Sequence, residues 1–314
     1  MHDISIIIVS WNAKQYLVDC LKSIAQNQNG FLQEIIVVDN ASTDGSAEIL
    51  EKEYPDVKLI RNHENLGFAK ANNIGIKASD GKYLALVNSD IIVLGDCIGK
   101  MIQFMERNPS VGMAGPRILN PDGSLQVSCR HFPSVWNNVC QVFGLNYVFP
   151  KSAFFSEPKM KYWPHDVERK VDVLSGCFWM IRREALGQVG LLDENFFFYG
   201  EDIDWCRRFN NAGWDIMFYP NAEAIHFGGA SSSNAPIRFY LELQKADLQY
   251  WKKHHGRIGK ITYAMIILMR HLLRLLFDLF KYIVFSGTRQ STLFKMKRSV
   301  ACIRWVLFNG FTVT

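Results

Sequence analysis

Residues 83–90 read YLALVNSD, an apolar run from Leu84 to Val87 that stops abruptly at Asn88, Ser89 and Asp90. An unbroken apolar run with polar ends is the pattern of a strand covered on both faces, and such strands belong to the parallel sheets of α/β proteins. Open α/β sheets bind their ligands beyond the carboxyl ends of the strands. A carboxylate there offers hard oxygen to a divalent cation bridging phosphates. Small polar residues also build turns, so the tip by itself leaves turn and ligand site both open.

The preceding residues repeat the theme. Residues 4–9, 34–39 and 57–61 read as strands, while 13–28, 42–54 and 69–78 have helical periodicity. Strands alternating with helices predict an α/β fold, a twisted and mostly parallel sheet flanked by helices. No GxGxxG follows the first strand, which argues against a dinucleotide-binding domain. Polar residues gather at the other strand tips too: Ser10 and Asn12 after the first, then Asp39, Asn40, Ser42, Thr43 and Asp44 after the second. Asp39 can accept the imide N–H of a pyrimidine or a sugar hydroxyl, with Ser42 or Thr43 capping the next helix. For Asp44 and Ser46 capping alone is the simpler role. Asn65, Gly67, Asn72 and Asn73 fall in the third crossover, where they either line the same ligand or pack.

Seven cysteines without a CxxC pair predict a reducing compartment and no metal knuckle. The start, MHDISIIIVSWN, enters a strand at once, with no basic and then apolar leader, so a cytosolic catalytic part is expected. The formal net charge of +5 hides a division. Residues 237–314 hold 14 Lys or Arg against 3 Asp or Glu, a net of +11, and residues 1–236 hold 21 against 27, a net of −6. An acidic body argues against nucleic acid as partner, and the basic tail argues for an anionic surface.

In the second half, residues 171–182 read as two strands or a strand and turn about Gly176. Further on, FFYGEDIDWCRR places Glu201, Asp202 and Asp204 where a helix begins, a position in which acids are stabilised by the helix dipole without further function.

Taken together, SWN (10–12), VVDNASTDGS (37–46), ENLGFAKANNIGI (64–76), LVNSD (86–90), SGCFWMIRRE and the FFFYGEDIDWCRR block resemble glycosyltransferase family 2, over about residues 3–255 and most closely its rhamnosyltransferase branch. The resemblance implies a GT-A fold, with a Rossmann-like nucleotide-sugar half at about 1–120 and an acceptor half at about 121–236, and inverting transfer from a nucleotide-diphosphate sugar. It implies a Mg²⁺ or Mn²⁺ site at a shortened D-x-D, here Asn88-Ser89-Asp90, with Asp90 as direct ligand. It makes Asp202 the catalytic base beside Glu201, and sets His226 of HFGGAS (226–231) near the metal or diphosphate. Ser10, Asn12, Asp39, Asn65, Asn72, Asn88 and Ser89 are then expected at the nucleotide sugar, and Gly176 and Trp205 at the acceptor. dTDP-L-rhamnose is the implied donor, with another UDP-, GDP- or dTDP-sugar as the alternative, and a polyprenyl-diphosphate-linked glycan or a polysaccharide of the bacterial surface the implied acceptor. A nucleotidyltransferase could share the sheet but opens with a Gly-rich basic loop that Ser10-Trp11-Asn12 is not. An inactive binding scaffold predicts loss of Asp39, Asp90 or Asp202, and all three are present.

The tail, 237–314, reads as a helix over 239–255 that ends near Gly256 and a second over 258–285. Arg270, His271, Arg274, Asp278 and Lys281 recur on one stripe of the second, with apolar residues elsewhere. No charge-free run approaches the ~20 residues of a spanning helix. A helix lying in the bilayer interface, with the protein peripheral on the cytoplasmic face of the membrane, is the expectation. Packing against the body or a partner copy is the alternative, so the oligomeric state is left open.

Overall fold

The computed structural model describes residues 2–26, 30–155, 158–197, 199–228, 236–285 and 289–311. In order the elements are β1 (Ile4–Ser10), α1 (Lys14–Ala25), β2 (Gln33–Asp39), α2 (Ser46–Glu53), β3 (Lys58–Arg61), α3 (Phe68–Lys77), β4 (Tyr83–Asn88), β5 (Ile91–Leu94), α4 (Cys97–Arg107), β6 (Val111–Leu119), β7 (Cys129–Arg130), α5 (Val135–Val142), α6 (Leu145–Val148), β8 (Arg169–Lys170), β9 (Val173–Leu174), β10 (Phe178–Arg182), α7 (Arg183–Val189), α8 (Glu201–Asn211), β11 (Asp215–His226), α9 (Pro236–Val284) and α10 (Arg289–Asn309). They form two compact units, Met1–Phe132 with Trp163–Gly228, and Pro133–Tyr162 with Gly229–Thr314.

The first unit is α/β. Its sheet runs β3-β2-β1-β4-β10-β6-β11-β5, with β8 on β11. The first four strands are parallel, as their apolar runs predict. Both faces are buried: Ile4, Ile6 and Ile8 pack with Leu17, Leu21 and Met101 from α1 and α4, while Ile7 lies against Gly75 of α3. Beyond β4 the sheet turns mixed, because β10 enters antiparallel between β4 and β6. That direction carries the turn before β10 to the carboxyl end of β4, where the Asn88 N–H donates to the Cys177 carbonyl (2.9 Å). A register shift in β11 between Tyr219 and Glu223 brackets Pro220, which has no N–H for the ladder.

Two local expectations change. The helix predicted from residue 42 starts at Ser46, after Gly45 in the left-handed region (φ 83°), and Ser42 and Thr43 do not cap it. Ser42 Oγ instead accepts from the Asn12 N–H (2.9 Å) and the Thr43 N–H donates to Asn12 Oδ1 (2.8 Å), which ties the β1 tip to the β2 tip. Gly67 is needed as glycine. Its φ is +80°, and an added Cβ would stand 2.6 Å from the Phe197 carbonyl, which accepts from the Phe68 N–H (3.2 Å).

The second unit is helical, and residues 133–162, placed in the acceptor half by sequence, belong to it. α5 opens with a reciprocal cap, Ser134 and Asn137 bonding each other's backbone, and Arg270 of α9 donates to Asn138 Oδ1 (2.9 Å). α9 breaks at Gly256 (φ 67°, ψ −163°), as the sequence suggests. Beyond the break the polarity is reversed from a soluble helix: Arg270, His271 and Asp278 are buried, while Leu276, Phe277, Phe280 and Ile283 are 59–67% exposed. The predicted polar stripe therefore faces the helices of its own unit, as do Ile266 and Ile267, while Leu276, Phe277, Phe280 and Ile283 are left outside. No described helix is long and apolar enough to cross a membrane.

Gly67→Ala should lose about 2 kcal/mol or more of stability, the scale for a Cβ forced onto a positive φ and a fixed carbonyl. A urea titration with an unchanged midpoint would contradict this account of the α3 start.

Candidate functional site

Register brings the polar tips to one level. Ser10 lies opposite Asp39, and Val9 opposite Asn88. Ser10 is fully buried with Oγ unpartnered, and Asp39, also buried, has Oδ1 unpartnered while Oδ2 accepts from the Ser42 N–H (3.1 Å). A buried polar atom without a partner costs on the order of 1–3 kcal/mol. Two at adjacent strand tips mark a place where a ligand can supply the missing bonds. Ser89 is half-buried beside them.

Asp90 follows β4 directly and faces the end of β11, since His226 pairs with Ile91 across the strands. Asp90 Oδ1 lies 3.3 Å from His226 Nε2, and Oδ2 accepts from the Gly228 N–H (3.0 Å). Burial pushes the Asp90 carboxyl up, but the bonds from His226 and Gly228 outweigh it and leave it below the ordinary carboxylate range. Gln126 sets the imidazole. Its amide nitrogen donates to Asn120 Oδ1 (2.9 Å) and to the His226 carbonyl (3.1 Å), so its oxygen faces His226 Nδ1 at 2.6 Å and accepts that proton. Nε2 then faces the Asp90 carboxylate, to which it offers an N–H or, with a cation between them, a lone pair. Residues 229–231 of the HFGGAS stretch lie outside the described residues.

The third group is built by α8. Tyr199 and Gly200 both take positive φ (71° and 83°), an uncommon turn for an aromatic residue, and launch the helix at Glu201. Asp202 pairs with Arg130, and its Oδ1 accepts from the Ile203 N–H (2.8 Å). β7 holds Arg130 in place by pairing with β9, Arg130 opposite Val173. Glu201 is buried with Oε2 unpartnered; burial first, and then the Asp202 charge, push its carboxyl up to about 8. At neutral pH Glu201 thus holds its proton, while the Asp202 side chain beside it faces the Arg130 guanidinium. Asp204 is structural: fully buried, it pairs with Arg208 one turn on (3.0 Å).

The acid groups approach each other through Cys177. Its thiol is pushed up to about 12, first by burial and then by the Asp90 charge, with a smaller contribution from Asp202. Other residues named from sequence serve the frame. Asn65 Oδ1 accepts from Asn40 and the Gly67 N–H, and Asn72 donates to the Phe68 carbonyl. Gly176 leaves room for the Trp179 indole, whose ring a Cβ would touch at 3.1 Å. Trp205, expected at the acceptor, is instead a core side chain: fully buried, edge-on to Trp179 and Phe209, with its N–H donating to the Gly190 carbonyl (2.9 Å). Gln126 and Arg130 escape the sequence reading. The one group of three potential metal ligands among the described residues, His2, Glu34 and Asp80, lies at the amino ends of the strands, away from these tips, where it forms a surface ion-pair cluster.

The family model for "Glycosyl transferase family 2" matches residues 5–190. An N-acetylglucosaminyl-diphospho-decaprenol L-rhamnosyltransferase of Mycobacterium tuberculosis (strain ATCC 25618 / H37Rv) is 32% identical over 233 residues, 71% of this chain and 75% of that one. The dTDP-rhamnosyl transferase RfbF of Shigella flexneri is 26% identical over 79% and 80% of the two chains. Among solved structures, the mannosyltransferase PcManGT from Pyrobaculum calidifontis, in complex with GDP-Man and Mn²⁺, superposes with a TM-score of 0.56 over 98% of this chain and 88% of that one, at 15% identity. The shared architecture is the GT-A fold.

Glu201 generates a pH prediction. Folded, it keeps its proton up to about pH 8, whereas a free glutamate releases it at about 4.3, so between those values the native state binds more protons than the unfolded one. Its contribution to stability therefore falls as pH rises through that window. Glu201→Gln cannot ionise, and its stability relative to the parent should climb from pH 5 to pH 9 in urea titrations; parallel pH profiles would refute the buried, protonated acid.

Proposed function

The chain belongs to glycosyl transferase family 2, and from there we propose that it inverts configuration while moving L-rhamnose from dTDP-L-rhamnose to a hydroxyl of a lipid-linked or polysaccharide acceptor in bacterial cell-surface glycan synthesis. The observation that carries the transferase chemistry is the facing pair Asp90 and His226, with Gln126 fixing the ring so that Nε2 meets a carboxylate. The names of the Mycobacterium and Shigella relatives support the sugar and its nucleotide. The Mycobacterium relative's name also supports a diphosphate-lipid acceptor.

In this reading Asp39 and Ser10 meet the base and ribose of the donor with their unpartnered oxygens, and Asn12, Asn65 and Asn72 hold the loops that shape that site, next to Asn88 and Ser89. Asp90 and His226 fit a divalent ion, Mg²⁺ or Mn²⁺: they offer one hard oxygen and one ring nitrogen whose other N–H is anchored, the usual outer arrangement of a metal-bound histidine. Such an ion supplies charge neutralisation for the departing nucleoside diphosphate. The acceptor oxygen attacks the anomeric carbon as the bond from that carbon to the diphosphate breaks, and the electron pair leaves with the phosphate. Asp202 takes the hydroxyl proton. Arg130 aims the Asp202 carboxylate, and the two bonds it accepts leave lone pairs for that proton. Donor recognition and the Asp90 side of the metal site are assigned to residues up to about 120, the base, the acceptor contact and His226 to 121–236, and contact with an anionic membrane on the cytoplasmic side to 237–314.

Two substitutions test this reading. Asp90→Ala should weaken metal-dependent binding of dTDP by about 2 kcal/mol or more in calorimetry, the scale of a lost charge-assisted contact; unchanged affinity and metal dependence would remove Asp90 from the site. Asp202→Asn should retain donor binding yet lose roughly 10²-fold or more in turnover. Turnover equal to the parent's in a folded Asp202→Asn protein would reassign the base.

A further inference from the structure

The inverted helical unit contains a cluster of cations. His271 is fully buried, with Nδ1 3.2 Å from Ser299 Oγ and Nε2 3.5 Å from the Tyr240 hydroxyl. Arg298 of α10 lies over the Tyr240 ring at 4.5 Å. Arg270 is more than nine-tenths buried, bonds only Asn138, and has its Nε unpartnered; Arg298 Nε is likewise buried and unpartnered. Arg274, half-buried, follows Arg270 by four residues and His271 by three, on the same face of α9. Burial and then the charges of Arg274, Arg270 and Arg298 push the His271 pKa down to about 3, so it is neutral. Asp278, one turn further on, is buried but bonds none of them. No described carboxylate forms an ion pair with Arg270, Arg274 or Arg298.

Three guanidinium groups, Arg270 buried and Arg274 and Arg298 half-buried, outnumber the acids of α9 around them, Asp278 and the Asp247 that accepts from the Tyr263 hydroxyl, and such an excess of positive charge in partly desolvated surroundings favours a counter-ion. A guanidinium fork matches the oxygens of a phosphate and binds it bidentately. The same helices expose Leu276, Phe277 and Phe280, so the source of phosphate that fits both features carries acyl chains.

We propose that Arg270, Arg274 and Arg298 form a binding site for the phosphate of a lipid headgroup, reached from a bilayer that covers the exposed apolar face of α9. The site rests on the reading of residues 237–314 as membrane-contacting and is independent of which sugar is transferred. It differs from diffuse attraction to a charged surface in demanding phosphate geometry, not charge alone.

Flotation of the full chain tests it, with phosphatidylcholine vesicles containing either phosphatidic acid or an equal charge of oleic acid. The parent should prefer the phosphatidic acid vesicles by about tenfold, the scale of a bidentate charge-assisted pair. Arg274→Gln with Arg298→Gln should abolish the preference, and Lys295→Gln with Lys297→Gln, which removes two exposed charges from α10, should weaken binding to both vesicles and keep the preference. Arg298→Lys, which retains charge and packing, should lose most of the preference and covers the case in which the double variant fails to fold. A parent without preference overturns the site while leaving the membrane reading standing, and a parent that floats with neither vesicle overturns both. Calorimetry with inorganic phosphate alone separates the sources: tight binding lost in the arginine variants would make the ligand a soluble phosphate and overturn the lipid assignment. Donor hydrolysis, measured in parallel, should be the same in every variant.

Discussion

The in-register pairing of β1 with β2 and β4 is the constraint on which the site depends. A slip of one residue would turn every side chain to the opposite face of the sheet. With Ile6 and Ile8 packed on α1 and α4, and Ile7 packed on α3, neither face tolerates that exchange. The height of Ser10, Asp39 and Asn88 is therefore set by isoleucines several residues away. β10 then adds its leading turn to the same edge, and the short ribbon of β7 and β9 hangs Arg130 beside it. The chemistry is assembled by elements whose own residues are almost wholly apolar.

Against that rigid frame the polar interior is expensive. Ser10 Oγ, Asp39 Oδ1 and Glu201 Oε2 are buried without partners, each at a cost of about 1–3 kcal/mol in a molecule whose total stability is of the order of 10 kcal/mol. Stability alone would replace them with apolar side chains. Ser10 and Asp39 stand side by side at adjacent strand tips, whereas buried Asp204 and Asn73 spend their side-chain oxygens on neighbours within the fold. In the helical unit the same imbalance takes another form: polar groups inward, apolar groups outward.

Much of the first unit is legible in the sequence because strands buried on both faces print as apolar runs and their polar tips stand out by contrast. Asp39 and Asp90 stand out for that reason, whereas the Glu201-Asp202 pair, at the start of α8, stands out only through the resemblance of its block to the family. Gln126 and Arg130 are not, because they lie in an irregular stretch where one polar residue resembles any other; the only signal is that residues 120–134 are too long for a plain connection. Trp205 misleads in the opposite way: the resemblance sets it at the acceptor, yet the helical period sends it into the core. Helical period also locates the polar stripe of α9 correctly but says nothing about which side faces the protein. Residue spacing carries a direction around the helix axis, and only packing decides which direction is inside.

All seven cysteines are free and buried, five in the α/β unit and Cys140 and Cys302 in the helical one. Burial pushes the thiols of Cys20, Cys97, Cys177 and Cys206 far above the neutral range, so the native chain presents almost no thiolate to an alkylating reagent. Modification then proceeds only through molecules that have opened, and its rate is a clock for opening. Because the two units carry separate cysteines, peptide-resolved alkylation would time the breathing of each unit independently, without any introduced label, and Cys177 would report openings next to the acids themselves.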